Sequence, residues 1–192
     1  VGKMKADLDV RFYKEDRFKE TPIGKIPEDW EVARLGKIIR FEKGKKPSQL
    51  FEKESNNLIP YLTAEYMRGS ESPKWCLPND PNIVRVHEQD IIMIWDGSYS
   101  GHVFTGFRGA LASTMVKILP KIQNIDTSFL YYILTKRFSI LHGTTVGTGI
   151  PHVNKMVFEN LPIQLPPFSE QQMIAHILSV SYTHLTLPTS DL

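Results

Sequence analysis

Short runs of apolar residues separated by turn residues recur along this chain, and this pattern predicts β-strands. The run Ile91–Trp95 contains five apolar residues in succession and is bounded by turn residues, which is typical of a strand buried in a sheet. Further strands are predicted at Ile38–Phe41, Leu58–Thr63 and His102–Phe104, and Ala110–Leu119 is predicted to be a strand pair or one long strand.

A helical spacing of apolar residues begins after residue 126. Asp126 or Thr127 is suited to cap this helix, and Gly143 is suited to end it. The apolar residues that share one face are Leu130, Ile133, Leu134, Phe138 and Leu141. We therefore predict one helix from residue 127 to residue 142.

A second helix is predicted directly after Pro166-Pro167. Ser169 and Gln172 have the spacing of an S-x-x-Q capping box. The apolar residues that follow at helical spacing, and that we expect to face a partner, are Met173, Ile174, Ile177 and Leu178. After Val180 the helical pattern fails, and the remaining residues look like translated adapter sequence, so we expect a non-native tail.

Composition narrows the classes of protein that this chain belongs to. An apolar content of 41% in 192 residues is sufficient for one globular domain. The single cysteine, Cys76, excludes an internal disulfide and a multi-cysteine zinc site. There is no apolar run of membrane-spanning length and no apolar signal region, so we expect no membrane contact and a cytoplasmic location.

The charge is unevenly distributed, although the net charge is only +2. Between Gly97 and Val157 there are six basic residues and one acid, Asp126. A stretch of this kind is suited to binding a polyanion. A random charge fluctuation on a solvated surface explains it equally well, and both interpretations remain open at this point.

No catalytic motif is complete. The Gly97–Gly101 turn is not a nucleophile elbow, because Tyr99 occupies the position that needs serine. There is no phosphate-binding glycine motif, no Asn/Asp-Pro-Pro-Tyr/Phe methyltransferase motif and no His or Cys pair with metal-ligand spacing. We therefore expect a binding module without a metal ion or cofactor of its own.

Three polar loops are suited to binding nucleic acid, and each has a simpler interpretation. The basic loop Lys43–Pro47 is suited to phosphates or is a solvated hairpin turn. The Gly97–Gly101 turn either offers hydroxyls to a nucleic acid or is an ordinary hairpin turn. The loop Thr144–Lys155 either reads bases or caps a short helix that begins at Asn154. The candidate DNA contacts are Lys45, Lys46, Ser98, Tyr99, Ser100, His102, Thr145, Thr148, His152, Asn154 and Lys155.

Several segments resemble one family. Ile26-Pro-Glu-Asp-Trp-Glu-Val-Ala-Arg-Leu-Gly-Lys-Ile, the Gly-Lys-Lys-Pro turn and Ile59-Pro-Tyr-Leu-Thr resemble the opening of a target-recognition domain in specificity (S) subunits of type I restriction–modification systems. The closing segment is similar as well, and it is the most specific part: Leu161-Pro-Ile-Gln-Leu-Pro-Pro-Phe-Ser-Glu-Gln-Gln-Met-Ile-Ala. The resemblance covers roughly residues 20–180.

The resemblance implies an α+β fold, with a mixed, twisted sheet and flanking helices followed by the start of a conserved C-terminal helix. It implies an N-terminal arm at 1–20, a recognition domain at 21–167, the start of a spacer helix at 168–180 and the expected non-native tail at 181–192. Each recognition domain of such subunits reads half of a split DNA target. With one such domain, the chain is expected to be a fragment, or a half-subunit that dimerises through its C-terminal helix.

The resemblance also implies a non-catalytic DNA reader in a larger complex. Methyltransferase (M) subunits use S-adenosylmethionine to methylate adenine, and a motor and nuclease (R) subunit adds cleavage. Two other classes remain open. One is an orphan DNA-processing enzyme, for which Glu88, Asp90 and Asp96, near one end of a predicted strand, are the only candidate carboxylates. The other is a protein-interaction module that works through its last helix.

Overall fold

The computed structural model describes residues 17–147 and 149–186. The strands, numbered in chain order, are β1 (Phe18–Thr21), β2 (Gly24–Pro27), β3 (Glu31–Arg34), β4 (Ile39–Lys43), β5 (Ile59–Leu62), β6 (Lys74–Cys76), β7 (Arg85–Val86), β8 (Ile91–Ile94), β9 (Val103–Phe104), β10 (Gly109–Leu111), β11 (Met115–Pro120) and β12 (Pro162–Leu165). The helices are α1 (Leu35–Ile38), α2 (Ala64–Met67), α3 (Thr127–Lys136), α4 (Phe138–Gly143), α5 (Lys155–Asn160) and α6 (Phe168–Thr186).

The strands form two four-stranded sheets and two ribbons. One sheet has the order β4-β11-β8-β9 and is antiparallel throughout. The other has the order β6-β5-β10-β7 and is mixed, because β5 and β10 run parallel. The ribbons are β1-β2 and β12-β3. The expected α+β class with a mixed sheet is therefore confirmed, and the strands are divided among these separate sheets.

Strand β8 is buried on both of its faces, and this explains its uninterrupted apolar sequence. Ile91 and Met93 belong to the core that is shared with α3, α5 and β12. Ile92 and Ile94 belong to a second core that is shared with β5 and β10. Successive side chains of a strand point to opposite faces, so a strand between two layers must be apolar at every position. The predicted buried strand is confirmed.

The helix predicted from residue 127 to 142 is present but interrupted. The Asp126 carboxylate accepts a hydrogen bond from the Phe129 amide at 2.8 Å, which confirms the predicted cap, and the helical region ends at Gly143 as expected. The helix breaks at Arg137, which separates α3 from α4. Trp95 is buried in the core, whereas Trp30 and Trp75 are partly exposed.

The C-terminal helix differs from its prediction in both end points. Its first turn begins at Phe168, and the Pro167 carbonyl accepts the amides of Glu170 and Gln171, so Ser169 is not the cap. The helix continues to Thr186, so the prediction that the helical pattern fails after Val180 is wrong for the backbone. The non-native origin of residues 181–192 stays a prediction, and so do the expected domain boundaries.

Helix α6 packs on the domain through α3. Ala175 is buried in the core and Ile174 packs against it. Ile174 therefore serves its own domain, and the predicted partner face of Met173, Ile174, Ile177 and Leu178 is divided between the domain and the outer side of the helix. Gln171, which is only 1% exposed, is the buried polar residue of this contact.

Candidate nucleic-acid interface

The ends of several strands meet at one edge of the domain. Lys43 at the end of β4 pairs with Val116, and Ile94 at the end of β8 pairs with Met115, so both strands end beside the start of β11. In the second sheet β5 and β10 are parallel and therefore also end together. The turn 112–114 joins β10 to β11 and brings the two groups of ends side by side. We call residues 43–47, 63–68, 95–101, 112–114, 145–147 and 149–155 the loop edge.

Specific contacts hold the three predicted loops together at this edge. The Lys43 ammonium lies 2.9 Å from the Asp96 carboxylate. The Gly97 amide donates to the Pro151 carbonyl at 2.8 Å, and Asp96 and His152 form an isolated β-bridge. The basic loop, the glycine turn and the threonine-rich loop are therefore neighbours, although the first ends at Pro47 and the last begins only at Thr144.

The basic loop is not the hairpin turn of its simpler interpretation, because β4 pairs with β11 and not with the next strand. Its backbone lies against the turn between β10 and β11. The Gly44 amide donates to the Met115 carbonyl at 2.9 Å, and the Lys45 amide donates to the Leu111 carbonyl at 3.1 Å. The side chains of Lys45 and Lys46 are exposed. The loop thus presents two lysines from a fixed backbone.

The glycine turn connects β8 to β9, so its interpretation as a hairpin is confirmed. Gly97 and Gly101 have φ values of 113° and 95°, a region that glycine adopts without strain. Ser98 and Tyr99 are exposed, whereas Ser100 is completely buried and its hydroxyl has no hydrogen-bond partner. The prediction that Ser100 contacts DNA is therefore wrong, because the side chain points into the domain.

His102 has a packing role. Its ring stacks on Phe104 at a centroid distance of 4.6 Å and lies 5.5 Å from Phe138. Burial, and to a smaller extent the positive charge of Arg68, lower the pKa of His102 below its usual value. The ring is therefore uncharged at neutral pH and half-buried among aromatic side chains, so we do not carry His102 into the proposed DNA surface.

The threonine-rich loop combines a structural and an accessible part. The Asn154 side-chain oxygen accepts the amides of Met156 at 3.1 Å and Val157 at 3.3 Å, which confirms the interpretation of Asn154 as a helix cap. A bidentate contact with adenine needs that oxygen, so Asn154 cannot make it while the cap is intact. His152 and Thr145 are partly exposed, and Thr148 lies outside the described residues.

Lys155, at the start of α5, is exposed, but acidic and aromatic neighbours surround it. Its ammonium lies 3.7 Å from the Glu159 carboxylate and 5.7 Å from the centre of the Phe41 ring. The Lys155 and Glu159 side chains are both exposed to solvent, and an exposed ion pair of this kind holds the lysine only weakly. Lys155 remains available at the loop edge.

The sequence reasoning missed Arg68, Ser113 and Thr114 at this edge. All three are exposed. The Arg68 guanidinium carbon lies 3.3 Å from the centre of the Tyr99 ring. The Thr114 carbonyl accepts the amides of Trp95 and Asp96, which places the 112–114 turn beside the end of β8. Gly69, directly after a short helical run, is the sequence signal that marks Arg68 as the end of a helix.

The acid-poor stretch 97–157 does not form one positive face. Lys117 is largely buried and pairs with Asp90 at 2.6 Å. The Lys121 ammonium donates to the Gly36 carbonyl at 2.6 Å, next to the far end of β11. Of the basic residues in this stretch, Lys155 belongs to the loop edge. The positive charge there comes mainly from Lys45, Lys46 and Arg68, two of which lie on the basic loop.

The three carboxylates of the enzyme alternative do not form a cluster. Asp90 precedes β8 and Asp96 follows it, so a strand rising about 3.3 Å per residue separates them by roughly 20 Å. Asp90 is engaged by Lys117 and by the His87 amide, while Asp96 is engaged by Lys43. Within residues 17–147 and 149–186, no three His, Cys, Asp or Glu side chains are arranged to hold a metal ion.

The described part of the chain contains no helix that is both long and apolar enough to cross a bilayer.

Comparison with known proteins identifies relatives of the whole described domain. A family model described as Type I restriction modification DNA specificity domain matches residues 27–189. The chain is 46% identical over 170 residues to the type I restriction enzyme MjaVIII specificity subunit of Methanocaldococcus jannaschii. This alignment covers 88% of this chain and 40% of that protein. It is 28% identical over 156 residues to the EcoDI specificity subunit of Escherichia coli, covering 81% and 32%.

Solved structures have the same fold. The HsdS subunit from Thermoanaerobacter tengcongensis matches with a TM-score of 0.63 at 18% identity, covering 87% of this chain and 40% of that one. A structure describing complex assembly and conformational transition of the type I R-M system matches with a TM-score of 0.66 at 20% identity, covering 87% and 41%. The chain spans about one third to two fifths of the length of these relatives. Because the family model covers most of its length, the chain belongs to the family of type I restriction modification DNA specificity domains.

Proposed function

We propose that this chain is a sequence-reading DNA-binding domain of a type I restriction–modification specificity subunit, and that the loop edge is its DNA-binding surface. The domain itself carries out no chemistry and needs no cofactor. It directs adenine methylation and cleavage by partner subunits to a chosen sequence. Its place of action is the cytoplasm, where those partners and the chromosomal DNA are found in a prokaryotic cell.

The observation that carries this proposal is the meeting of three polar loops from distant parts of the chain. They are joined by the Lys43–Asp96 ion pair, the Gly97–Pro151 hydrogen bond and the bridge between Asp96 and His152. A reader of duplex DNA needs cations for phosphates and polar side chains for base edges on a single surface. The loop edge provides both.

The exposed side chains divide by chemistry. Lys45, Lys46 and Lys155 are point charges suited to phosphates, which set register and affinity without reading sequence. Ser98, Tyr99 and His152 offer hydrogen-bonding groups that are suited to base edges. Thr145 and Thr148 remain candidates for the same role.

The partners are also proposals, because the chain spans only part of its relatives. We infer that α6 is the start of the spacer helix on which M subunits and then the R subunit assemble. Pairing of two such helices would create the second recognition half. The alternative of a protein-interaction module without DNA affinity predicts partner binding through α6 alone.

Selection from a randomised duplex library tests the function directly. The chain is used to enrich binding sequences, and its affinity for the selected duplex is compared with that for a scrambled duplex of equal length and composition. We expect tighter binding to the selected duplex by at least an order of magnitude, since each good base contact discriminates by about 1–3 kcal/mol. His152→Ala should narrow that difference, and Lys37→Ala, away from the loop edge, should leave it unchanged.

Co-expression with the neighbouring methyltransferase subunit provides the second measurement. Mapping methylated adenines should return a motif that includes the selected sequence. A chain that enriches no sequence and yields no methylation motif would contradict the proposal, and binding only to a methyltransferase would support the interaction module.

A further inference from the structure

The backbone of Arg68 is held in a defined position at the loop edge. Arg68 is the C-cap residue directly after α2, and Gly69 follows it with φ of 74°. The Gly69 amide donates to the Tyr66 carbonyl and the Ser70 amide donates to the Glu65 carbonyl, both at 2.9 Å. These two bonds form the Schellman motif, which fixes the backbone at the end of a helix. The Cα of Arg68 is therefore held in place although the residue lies on the surface.

The side chain of Arg68 is held as well. Its guanidinium carbon lies 3.3 Å from the centre of the Tyr99 ring. C–N bonds of about 1.3 Å would drive a nitrogen into the ring if the guanidinium stood upright, so the two planes must lie nearly parallel. The backbone of Tyr99 is held in the turn between Gly97 and Gly101, where its carbonyl accepts the His102 amide at 3.0 Å. A stacked arginine loses little further freedom when it binds a ligand.

The guanidinium keeps its donors for a ligand. Among the described residues no carboxylate forms an ion pair with Arg68, and its guanidinium lies over the Tyr99 ring. Stacking uses the face of the guanidinium and leaves its edge free. The edge carries two parallel N–H donors, and guanine presents two acceptors, O6 and N7, at matching spacing in the major groove.

We propose that Arg68, held flat on Tyr99, reads a guanine in the target sequence through O6 and N7. This inference rests on the proposed DNA-binding function and names the base that one side chain selects. Lysine is a poorer substitute in this role, because its ammonium does not lie flat on the Tyr99 ring and its donors are not held in a fixed planar fork. Tyr99 acts as the positioning residue.

The test uses the full chain and the duplex that the wild type selects from a randomised library. Each guanine of that duplex is replaced in turn by 7-deazaguanine, which lacks the N7 acceptor. We expect one position at which wild-type affinity falls about ten- to a hundredfold. Arg68→Ala should bind the parent and the substituted duplex at that position equally well, and Arg68→Lys should lose most of the difference in affinity between the two duplexes.

Tyr99→Phe and Tyr99→Leu separate the stacking platform from the phenol. The phenylalanine variant should keep the sensitivity to 7-deazaguanine, and the leucine variant should lose most of it. Lys45→Ala is the charge-matched control and should weaken all duplexes by the same factor while keeping the sensitivity.

Three results would overturn the inference: a selected site without guanine, equal losses on every duplex for both Arg68 variants, or undiminished sensitivity in Arg68→Lys. The second would make Arg68 a phosphate contact. A wild type that selects no sequence contradicts the proposed function instead, so the two failures are distinguishable.

Discussion

Ser98 and Ser100 lie two residues apart in one turn, yet only Ser98 reaches solvent. Gln171 and Gln172 differ in the same way, since Gln171 is buried and Gln172 is exposed. The side-chain oxygen of Asn154 is suited to a base, but it already accepts two backbone amides. In each case the residue type suits a ligand, and the tertiary contact decides whether the atoms are free. Polar residue type alone therefore overestimates the number of side chains in these loops that are available to a ligand.

Gly44 illustrates a residue whose small size supports the interface. A Cβ there would overlap the Ala112 carbonyl oxygen and lie 2.5 Å from that of Leu111. Backbone atoms cannot move aside as a side chain can, so we expect Gly44→Ala to lower the free energy of unfolding by about 1–3 kcal/mol. Urea unfolding measures this change.

The matched control is Gly143→Ala, because a Cβ at Gly143 has no heavy atom within 4 Å. Its free energy of unfolding should equal that of the wild type or rise slightly. Equal stability of Gly44→Ala and the wild type would show that the basic loop is not held against the 112–114 turn.

At the scale of elements, one buried polar side chain, that of Gln171, makes the hydrogen bonds that attach the start of α6 to the domain. The Gln171 amide group accepts the Asp126 N–H at 2.9 Å and donates to the carbonyls of Asn124 at 3.2 Å and Pro166 at 2.9 Å. The Trp30 indole donates to the Glu170 carboxylate at 2.8 Å beside it. These bonds join the first turn of α6 to the segment that precedes α3, so they set the direction in which α6 leaves the domain.

Gln171→Leu should therefore destabilise the domain by about 2–4 kcal/mol, because it leaves buried backbone groups without partners. Gln172→Leu is the neighbouring control, and its exposed side chain should change the free energy of unfolding by less than about 0.5 kcal/mol. Chemical denaturation gives both values. A larger loss of stability in Gln172→Leu than in Gln171→Leu would instead support the capping box that the sequence suggests at Ser169 and Gln172.

At the scale of the whole molecule, the placement of charge matters more than its amount. The net charge is only +2, and the acid-poor stretch is divided between ion pairs and opposite ends of the sheet. Lys45 and Lys46 lie together on the loop edge, whereas Lys37 and Arg40 lie near the opposite end of β4. The two pairs carry the same charge in different places.

Lys45→Ala combined with Lys46→Ala should weaken DNA binding for all sequences and reduce the slope of log affinity against log salt by about 2. Lys37→Ala combined with Arg40→Ala removes the same charge and should leave the slope nearly unchanged. Titration of duplex binding between 50 and about 200 mM salt measures both. Equal slopes for the two double variants would mean that net charge, and not the loop edge, drives binding.

Local features of this protein follow from the sequence by itself. The uninterrupted apolar run of β8, the Asp126 and Asn154 caps and the helix end at Gly143 depend on neighbours within a few residues. Short-range hydrogen bonding and side-chain periodicity are enough to predict such features. The closing segment after Leu161 likewise carries its resemblance in consecutive residues.

Only the tertiary structure decided which surface these features build. Strand order brings residues 43–46, 96–99 and 152–155 to one edge, places Arg68 on Tyr99 and turns Ser100 inward. It also gives Gln171, and not Gln172, the buried position on α6. These outcomes depend on packing between residues far apart in the chain, and no local pattern specifies which partner a strand or a polar side chain will meet.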